Sequence, residues 1–384
     1  TRRNLELFQA GRWGKTTASL FSVLDRTETP MGGRLLRRWL GQPLLDVSEL
    51  VRRQDAVAWS LRSALRRERV VSLLRSVSDI ERLANRVRGG TATPRDLVAL
   101  ASSLEVAPDI KSLLLEDDDS EQVEWLASDI RENDEVVRLI RDAIEDDPPL
   151  SVGDGKAIKR GFSADLDALR TSSRDAQEYI AGLQQRERER TGIKSLKVGY
   201  NRVFGYYIEV SKTNLAGVPG DYVRRQTLVG GERFITPEMK EYESRVLNAQ
   251  DRIAELEQSL FRQVCRQVAQ AAGPVIETAS ALARTDVFSS LAQVASAQNY
   301  VRPELSDGDG VDIRNGRHPV VERMLPAGGF VPNDVRLSAR GERLIVLTGP
   351  NMSGKSTYIR QVAIIVLMAQ IGSYVPAESA TVGT

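Results

Sequence analysis

The chain has 384 residues, of which 41% are hydrophobic and 27% are charged, and this composition predicts a soluble protein of two or three domains. The formal net charge is +1, so overall charge points to no partner and any basic surface must be local. A single cysteine, Cys265, excludes internal disulfides and cysteine-based metal clusters, and it favours a reducing, cytoplasmic location. The most apolar run, residues 362–369, is too short to span a membrane, so no membrane partner is expected.

Residues 1–190 are predicted to form an almost entirely helical region, because apolar side chains recur there at helical spacing. Residues 29–33 are predicted to form a turn, and the Gly-Gln-Pro sequence at 41–43 ends a helix. Thr93 followed by Pro94 is typical of an N-cap and a first helical position.

Two acidic clusters, residues 116–119 and 146–149, lie in stretches rich in helix breakers. Clustered carboxylates can hold a cation, but consecutive acidic residues in such stretches favour solvated loops. The many arginines between residues 34 and 69 are likewise interpreted as solvated helix faces rather than as contacts with DNA.

Two heptad stripes predict a pair of long helices. The second stripe begins after Thr236 and Pro237, which again form an N-cap and first-position pair. The similar lengths of the stripes favour an antiparallel pair with a compact segment at its tip over two unrelated amphipathic helices. The stripe residues are Leu166, Leu169, Ser173, Ala176, Ile180 and Leu183 in the first helix, and Tyr242, Val246, Ala249, Ile253, Leu256, Leu260 and Val264 in the second.

The segment between the stripes, residues 191–235, is predicted to be β-rich. Its aromatic and β-branched run 203–210 has Tyr206, Ile208 and Val210 on one face, which is typical of a strand. Seven basic and three acidic residues give the segment a net charge of +4, against +1 for the whole chain. Such a module suits contact with the DNA phosphate backbone, although the charges could also serve only to keep a small sheet soluble. The candidate DNA-binding residues are Arg202, Lys212, Arg224, Arg225 and Arg233.

A strand, a glycine-containing loop and a helix are predicted in succession near residue 350. The apolar run Leu344–Leu347 is predicted to be a fully buried strand. Residues 349–356 match G-x-x-x-x-G-K-[ST] at every fixed position. The pattern then becomes helical, with an apolar face formed by Ile359, Val362, Ile365, Val366 and Met368.

This order of elements predicts a phosphate-binding loop rather than a glycine-rich turn that binds nothing. Lys355, the candidate catalytic residue, is expected to reach the β- and γ-phosphates of ATP, and Ser356 is expected to hold Mg²⁺. Thr357 is expected to support the phosphates. The predicted loop residues are Gly349, Pro350, Asn351, Met352, Ser353, Gly354, Lys355, Ser356 and Thr357.

The residues around this loop resemble the MutS family of DNA mismatch-recognition ATPases. The stretch 348–361 has Asn-Met inside the loop and Tyr-x-Arg-Gln after it, and Gly-Ser-Tyr-Val-Pro-Ala follows at 372–377. Residues 24–40 and 200–212 resemble the opening of the MutS core and the MutS clamp, respectively. One departure is Ser353, which stands where the family usually has glycine.

The resemblance implies a multidomain, mostly α fold, in which a helical core carries long antiparallel lever helices. The implied domains are a first core and lever part (1–190), a small β-rich clamp (191–235), a second lever and core part (236–305), and the start of an α/β P-loop ATPase domain of the ABC type (306–384). Because family parts are missing on both sides, we expect an internal piece of a longer ATPase, which by itself binds nucleotide poorly and does not hydrolyse it.

The same resemblance implies cofactors, partners and residue roles. Phe330 is expected to stack on the adenine of ATP, and the clamp residues are expected to hold the backbone of mismatched double-stranded DNA. A homodimer and a downstream mismatch-repair ATPase are the other implied partners. His318, the only histidine, is expected to have a structural role.

Three alternatives use the same motifs. One is a MutS-like paralogue that lacks a mismatch-reading domain and acts on branched or recombining DNA. Another is a non-catalytic DNA-binding scaffold with a vestigial nucleotide site, which the intact Lys355 and Ser356 disfavour. The third is a coiled-coil chromosome-organising ATPase, which is disfavoured because its phosphate loop precedes its coiled coil.

Overall fold

The computed structural model of the chain describes residues 2–9, 18–116, 119–201, 205–326, 328–350 and 354–384. The chain divides into two compact units. The first unit comprises Thr1–Arg86, Ala99–Val137 and Gln270–Thr384, and the second comprises Val87–Val98 and Arg138–Ala269.

Helices dominate the described residues, as predicted for a mostly α protein. In chain order they are α1 (Leu20–Leu24), α2 (Pro30–Gly41), α3 (Val47–Arg62), α4 (Ala64–Leu74), α5 (Ile80–Arg88), α6 (Pro94–Glu105), α7 (Ala107–Leu114), α8 (Glu124–Ser128), α9 (Asp134–Ala143), α10 (Ala164–Thr191), α11 (Pro237–Gln270), α12 (Ala272–Gln298), α13 (Pro319–Met324) and α14 (Lys355–Ala369). No described helix has the combination of length and hydrophobicity needed to cross a membrane.

The described strands form two four-stranded sheets. They are β1 (Lys197–Asn201), β2 (Gly205–Ser211), β3 (Val223–Thr227), β4 (Gly231–Ile235), β5 (Glu304–Ser306), β6 (Val311–Gly316), β7 (Asn333–Leu337) and β8 (Ser379–Gly383). The first sheet has the order β1-β2-β4-β3 and is antiparallel throughout. The second has the order β5-β8-β6-β7, in which β5 and β8 run parallel and β6 runs antiparallel to both of its neighbours.

The core of the first unit is built around α12, which is buried on nearly all sides. Its Asp286 accepts hydrogen bonds from the Glu28 N–H (2.9 Å), the Thr29 N–H (2.8 Å) and the Thr29 hydroxyl (2.6 Å). A side chain at Gly32 would meet this carboxylate, because a Cβ there would lie 2.3 Å from Asp286 Oδ2. The turn predicted at 29–33 is therefore wrong: Thr29 is the N-cap of α2, and the glycines occupy its first turn.

Two hydrogen bonds join the helical core of the first unit to the part of the chain between Pro303 and the end of α14. The Leu44 N–H donates to the carbonyl of Gln370, the residue after α14 (2.9 Å). Gln54 on α3 donates through Nε2 to the Pro303 carbonyl (3.1 Å). The first contact is made by the loop before α3, and the second is made by α3 itself.

The described residues of the two acidic clusters lie outside the α-helices, and residues 117 and 118 lie outside the described residues. Asp119 pairs with Arg62 (2.7 Å) and Arg66 (3.4 Å), and Asp146 pairs with Lys159 (3.0 Å). No group of three or more His, Cys, Asp or Glu side chains in the described ranges is placed to hold a metal ion.

The second unit contains the predicted antiparallel pair of long helices, α10 and α11. The rings of Tyr179 and Tyr242 stack with centroids 3.7 Å apart. Arg170, earlier on α10, pairs with Glu257, later on α11 (3.5 Å). A later residue of one helix thus meets an earlier residue of the other, so the helices run antiparallel.

The predicted stripe on α11 is wrong at Leu256 and Leu260, whereas Ile253 and Val264 are buried as predicted. Leu256 and Leu260 are only partly buried, whereas Glu257 and Phe261 face the interior. Glu257 can be buried because its carboxylate accepts four backbone N–H groups, from Gly153, Gly155, Ala157 and Ile158. These bonds compensate the loss of hydration that otherwise keeps glutamate at the surface.

The first sheet lies within the predicted insert. The predicted strand at 203–210 corresponds to β2, whose Ile208 and Val210 are buried. Residues 203 and 204 lie outside the described residues. The sheet packs on Leu183 of α10 and Met239 of α11.

The predicted buried strand Leu344–Leu347 is wrong. The run is irregular, and Leu344 and Val346 are 81% and 75% exposed. A strand needs a neighbour to satisfy its backbone groups, and no described strand lies beside this run. The predicted face of α14 is wrong at Ile359, which is 60% exposed, whereas Ile365 and Met368 are buried as predicted.

Candidate nucleotide site and nucleic-acid interface

The phosphate-loop sequence leads directly into α14. Gly349 and Gly354 have φ values of 146° and 86°, a region that favours glycine. Gly354 is the N-cap of α14 and makes no side-chain cap, so the first N–H groups of the helix remain available to an anion. Asn351, Met352 and Ser353 lie outside the described residues.

Lys355 is the first residue of α14. Its ammonium group donates to the carbonyls of Gly349 and Pro350, the latter at 2.7 Å. An ammonium group has three N–H donors, which suit phosphate oxygens as well as carbonyls. Ser356 is exposed beside it, and Thr357 is partly buried.

A cavity of about 740 Å³ connects the loop to Phe330. This volume suits a nucleotide-sized ligand. Among the predicted ATP-binding residues, Ser356 does not line the cavity, although it neighbours Lys355. The described lining residues are Val321, Leu325, Gly329, Phe330, Val331, Asn333, Leu347, Thr348, Gly349, Pro350, Gly354, Lys355, Thr357, Tyr358 and Gln361.

The cavity also contains residues that the sequence interpretation did not assign. The Tyr358 hydroxyl donates to the Asp334 carbonyl (3.0 Å) and so fastens the first turn of α14 to β7. Gln361 lies three residues further along the same helix. Spacings of three and four from Gly354 place Thr357, Tyr358 and Gln361 on one side of α14, which is the signal that could have identified them.

His318 serves as the N-cap of α13. Its Nδ1 accepts the Val321 N–H (3.4 Å). Burial, helped by the positive charge of Arg360, lowers the pKa of His318 to about 4. The imidazole is therefore neutral near pH 7 and can accept this bond, in keeping with a structural role.

The basic residues predicted to bind DNA differ in their exposure to solvent and in their ion pairs. Lys212, Arg224 and Arg225 are exposed. Arg224 pairs with Glu232 (3.3 Å), a surface contact that contributes little. The register with β4 shifts between Arg224 and Gln226, so Arg225 has no partner residue on that strand. Arg202 lies outside the described residues.

Arg233 is engaged within the sheet itself. Its guanidinium pairs with Glu209 (3.0 Å), donates to Gln226 Oε1 (3.0 Å) and lies 4.1 Å from the centroid of the Tyr207 ring. Its charge is therefore balanced locally, and it holds three strands together.

Comparison with protein families agrees with this arrangement. The model of MutS domain III matches residues 1–292, and the model of MutS domain V matches residues 345–384. The chain belongs to the MutS family.

Curated MutS relatives match nearly the whole chain. The DNA mismatch repair protein MutS of Pelotomaculum thermopropionicum is 50% identical over 377 residues, which cover 98% of this chain and 44% of the relative. The protein of the same name from Acetivibrio thermocellus is 49% identical over 384 residues, which cover 100% of this chain and 44% of the relative. The protein of the same name from Salinibacter ruber is 47% identical over 384 residues, which cover 100% of this chain and 42% of the relative. The chain thus spans less than half the length of these MutS proteins.

Proposed function

We propose that this chain is part of an ATP-dependent DNA mismatch-recognition protein, in which ATP binding is coupled to the holding of DNA. The observation that carries the proposal is the single cavity that joins Phe330 to Gly349, Gly354 and Lys355. An aromatic ring and a cationic loop in one cavity match the base and the phosphates of ATP. The relatives are named DNA mismatch repair proteins, and these names suggest the proposed process.

The residues present fit a nucleotide with its magnesium ion. The N-terminus of α14 and Lys355 offer positive charge to the phosphates, and the exposed hydroxyl of Ser356 is a hard oxygen ligand of the kind Mg²⁺ accepts. The magnesium ion would neutralise part of the negative charge of the phosphates. No carboxylate is among the described residues that line the cavity, so this part of the protein is proposed to bind ATP rather than to activate the attacking water.

The DNA contact is proposed for the exposed edge of the first sheet. Lys212, Arg224 and Arg225 present their charges to solvent, and Arg202 remains a candidate from the sequence. Contacts of this kind hold phosphates and read no bases. Arg233 is instead proposed to position the strands, because its charge is used by Glu209.

The effect of ATP binding is proposed to be transmitted from the nucleotide site through the end of α14. The carbonyl of Gln370 is held by the Leu44 N–H, which connects α14 to the loop before α3. A homodimer and a downstream mismatch-repair ATPase are further proposed partners, on the strength of the family resemblance.

Lys355→Ala in the full-length protein tests the proposal. Loss of a charged hydrogen-bond donor to phosphate should weaken ATP binding roughly 10- to 100-fold and abolish most ATP turnover. ATP should then no longer change the affinity of the variant for a mismatched duplex. The matched control is Arg336→Ala, which removes one exposed positive charge from β7 outside the cavity and should leave ATP binding unchanged. Normal ATP binding by Lys355→Ala would show that the nucleotide site lies elsewhere.

A further inference from the structure

Strand β3 carries two of the basic residues proposed to contact DNA, and it lies at an edge of its sheet. In the order β1-β2-β4-β3, only β4 pairs with it among the described strands. Arg224 and Arg225 are exposed on this strand, next to the shift in register. A strand with one neighbour leaves a row of backbone groups unpaired on its other side. The position of these arginines therefore depends on what holds β3 besides β4.

Four side chains fasten the start of β3 to the end of α10. Tyr222, the residue before β3, is buried, and its hydroxyl donates to Glu187 Oε2 of α10 (2.8 Å). The same oxygen pairs with Arg190 Nε (3.0 Å), and a second nitrogen of Arg190 donates to Asp221 Oδ2 (2.9 Å). Asp221 and Tyr222 are neighbours in the chain, so both ends of this network meet just before β3.

The hydroxyl of Tyr222 is the buried link in this network. Glu187, which accepts from it, is only 6% exposed. Hydrogen bonds to a carboxylate are roughly twice as strong as those between neutral groups, and a buried carboxylate needs them. Burial and the neighbouring Glu187 raise the pKa of Tyr222 above its usual range, so the phenol keeps the proton that it donates. Arg190 and Asp221 are more exposed, and their contact contributes less.

The ring of Tyr222 fixes the same point from the side of the sheet. Its centroid lies 5.7 Å from that of Phe234 on β4. Both rings belong to an apolar cluster that also includes Leu183 of α10 and Met239 of α11. Tyr222→Phe would keep this packing and remove only the hydroxyl. The contributions of the ring and of the hydroxyl can thus be separated by experiment.

The same turns of α10 hold the other edge of the sheet. Gln184 Oε1 accepts the Val198 N–H of β1 (3.0 Å), and Arg188 Nε donates to the Leu196 carbonyl (2.7 Å). Spacings of three and four residues place Gln184, Glu187 and Arg188 close together on the helix. The end of α10 therefore sets the position of both edge strands.

We propose that Tyr222 is a positioning residue for DNA binding, which acts through Glu187 to hold Arg224 and Arg225 where they meet phosphates. The inference rests on the proposed DNA contact of β3. A strand advances about 3.3 Å per residue, so both arginines lie within about 10 Å of Tyr222 along the chain. With the hydroxyl bonded to Glu187, β3 is ordered before DNA arrives. Without this bond, the ordering of β3 opposes binding and weakens the complex.

The test is a double-mutant cycle in the full-length protein, in which binding of a mismatched duplex is measured at one fixed salt concentration. Tyr222→Phe should weaken binding about fivefold in the parent, which is the effect of ordering about one rotamer-rich side chain. In the background of Arg224→Ala and Arg225→Ala it should have no further effect, because the residues that it positions are gone. A purely structural role would give the same factor in both backgrounds, and that result would overturn the inference.

Ile193→Val is the matched control. Ile193 is buried in the same apolar cluster, and loss of one methylene lowers stability there without touching the hydrogen bonds of Tyr222. It should leave DNA affinity unchanged, whereas a loss as large as that of Tyr222→Phe would overturn the inference. Hydrogen exchange in the absence of DNA is a second measurement. The amides of β3 should exchange faster in Tyr222→Phe than in the parent, and equal exchange would also overturn the inference.

Two outcomes separate this inference from the proposed function. If Tyr222→Phe binds DNA like the parent while the double arginine variant binds more weakly, the inference fails and the DNA contact stands. If the double arginine variant itself binds like the parent, the proposed DNA contact of β3 fails, and the inference fails with it.

Discussion

Replacement of Glu257 by glutamine is a stringent test of the second unit. Glu257 on α11 is fully buried and accepts N–H groups from Gly153 (2.8 Å), Gly155 (2.9 Å), Ala157 (2.8 Å) and Ile158 (3.2 Å). Oε2 takes the first two and Oε1 the last two, and Arg170 of α10 lies 3.5 Å from Oε1. One carboxylate thus joins α11, α10 and the loop between α9 and α10.

Glutamine keeps the shape of glutamate but reverses half of its hydrogen-bonding character. Its NH₂ group would face two backbone donors, so two charge-assisted bonds are lost, each contributing about 1.5–3 kcal/mol. Arg170, whose side chain is mostly buried, also loses its buried ionic partner. Because these losses overlap, we expect a net destabilisation of roughly 3–5 kcal/mol.

Denaturant unfolding should show this loss, and hydrogen exchange should locate it. The amides of Gly153, Gly155 and Ala157 should exchange much faster in Glu257→Gln than in the parent. The control is Glu255→Gln, an exposed change on the same helix, which should alter the free energy of unfolding by less than about 0.5 kcal/mol. Equal stability of the two variants, with unchanged protection of the loop amides, would refute the reasoning.

Three further predictions concern the nucleotide site, the DNA interface and the core. Phe330→Ala should weaken both ATP and ADP roughly tenfold, and Phe330→Tyr should bind like the parent; equal ADP titrations for parent and Phe330→Ala would exclude stacking on adenine. Replacing Arg224 and Arg225 with alanine should reduce the slope of log K against log salt by up to about two units, for matched and mismatched duplexes alike, and an unchanged slope would remove both from the interface. Burial raises the pKa of Asp286 to about 6. Protonation of this carboxyl therefore stabilises the folded parent, and its stability relative to Asp286→Asn should increase as the pH falls from 6 to 4. The increase should be lost again as the pH rises through 6. The gain is at most about 3 kcal/mol, and parallel stability–pH curves for parent and variant would contradict it.

Local features were predictable from the sequence because neighbouring residues create them. Thr93 and Pro94 mark the start of α6, since a cap requires only the residues of one helical turn. Glycine at positions 349 and 354 of the phosphate-loop motif predicts positive φ, and both residues have it. The alternation of Tyr206, Ile208 and Val210 indicated a strand, because period two is a property of the backbone itself.

The partnerships between distant segments were decided only by the tertiary structure. Glutamate in a helix normally faces solvent, and only the four N–H groups of a loop about 100 residues away allow Glu257 to replace Leu256 in the interior. The apolar run Leu344–Leu347 lacks a neighbouring strand in the described residues, although its composition predicts one.

The basic residues of 191–235 also show what the sequence reveals and what only the tertiary structure decides. The excess of basic residues in 191–235 is visible in the sequence, but which of them remain available is not. Arg224 and Arg225 are exposed on β3, while Arg233, a short distance along the chain, is occupied by Glu209 and Tyr207. The sequence by itself determined where charge and phosphate-binding glycines stand along the chain. The pairing of strands determined which charges meet a partner, because strand register brings together residues that are far apart in the chain.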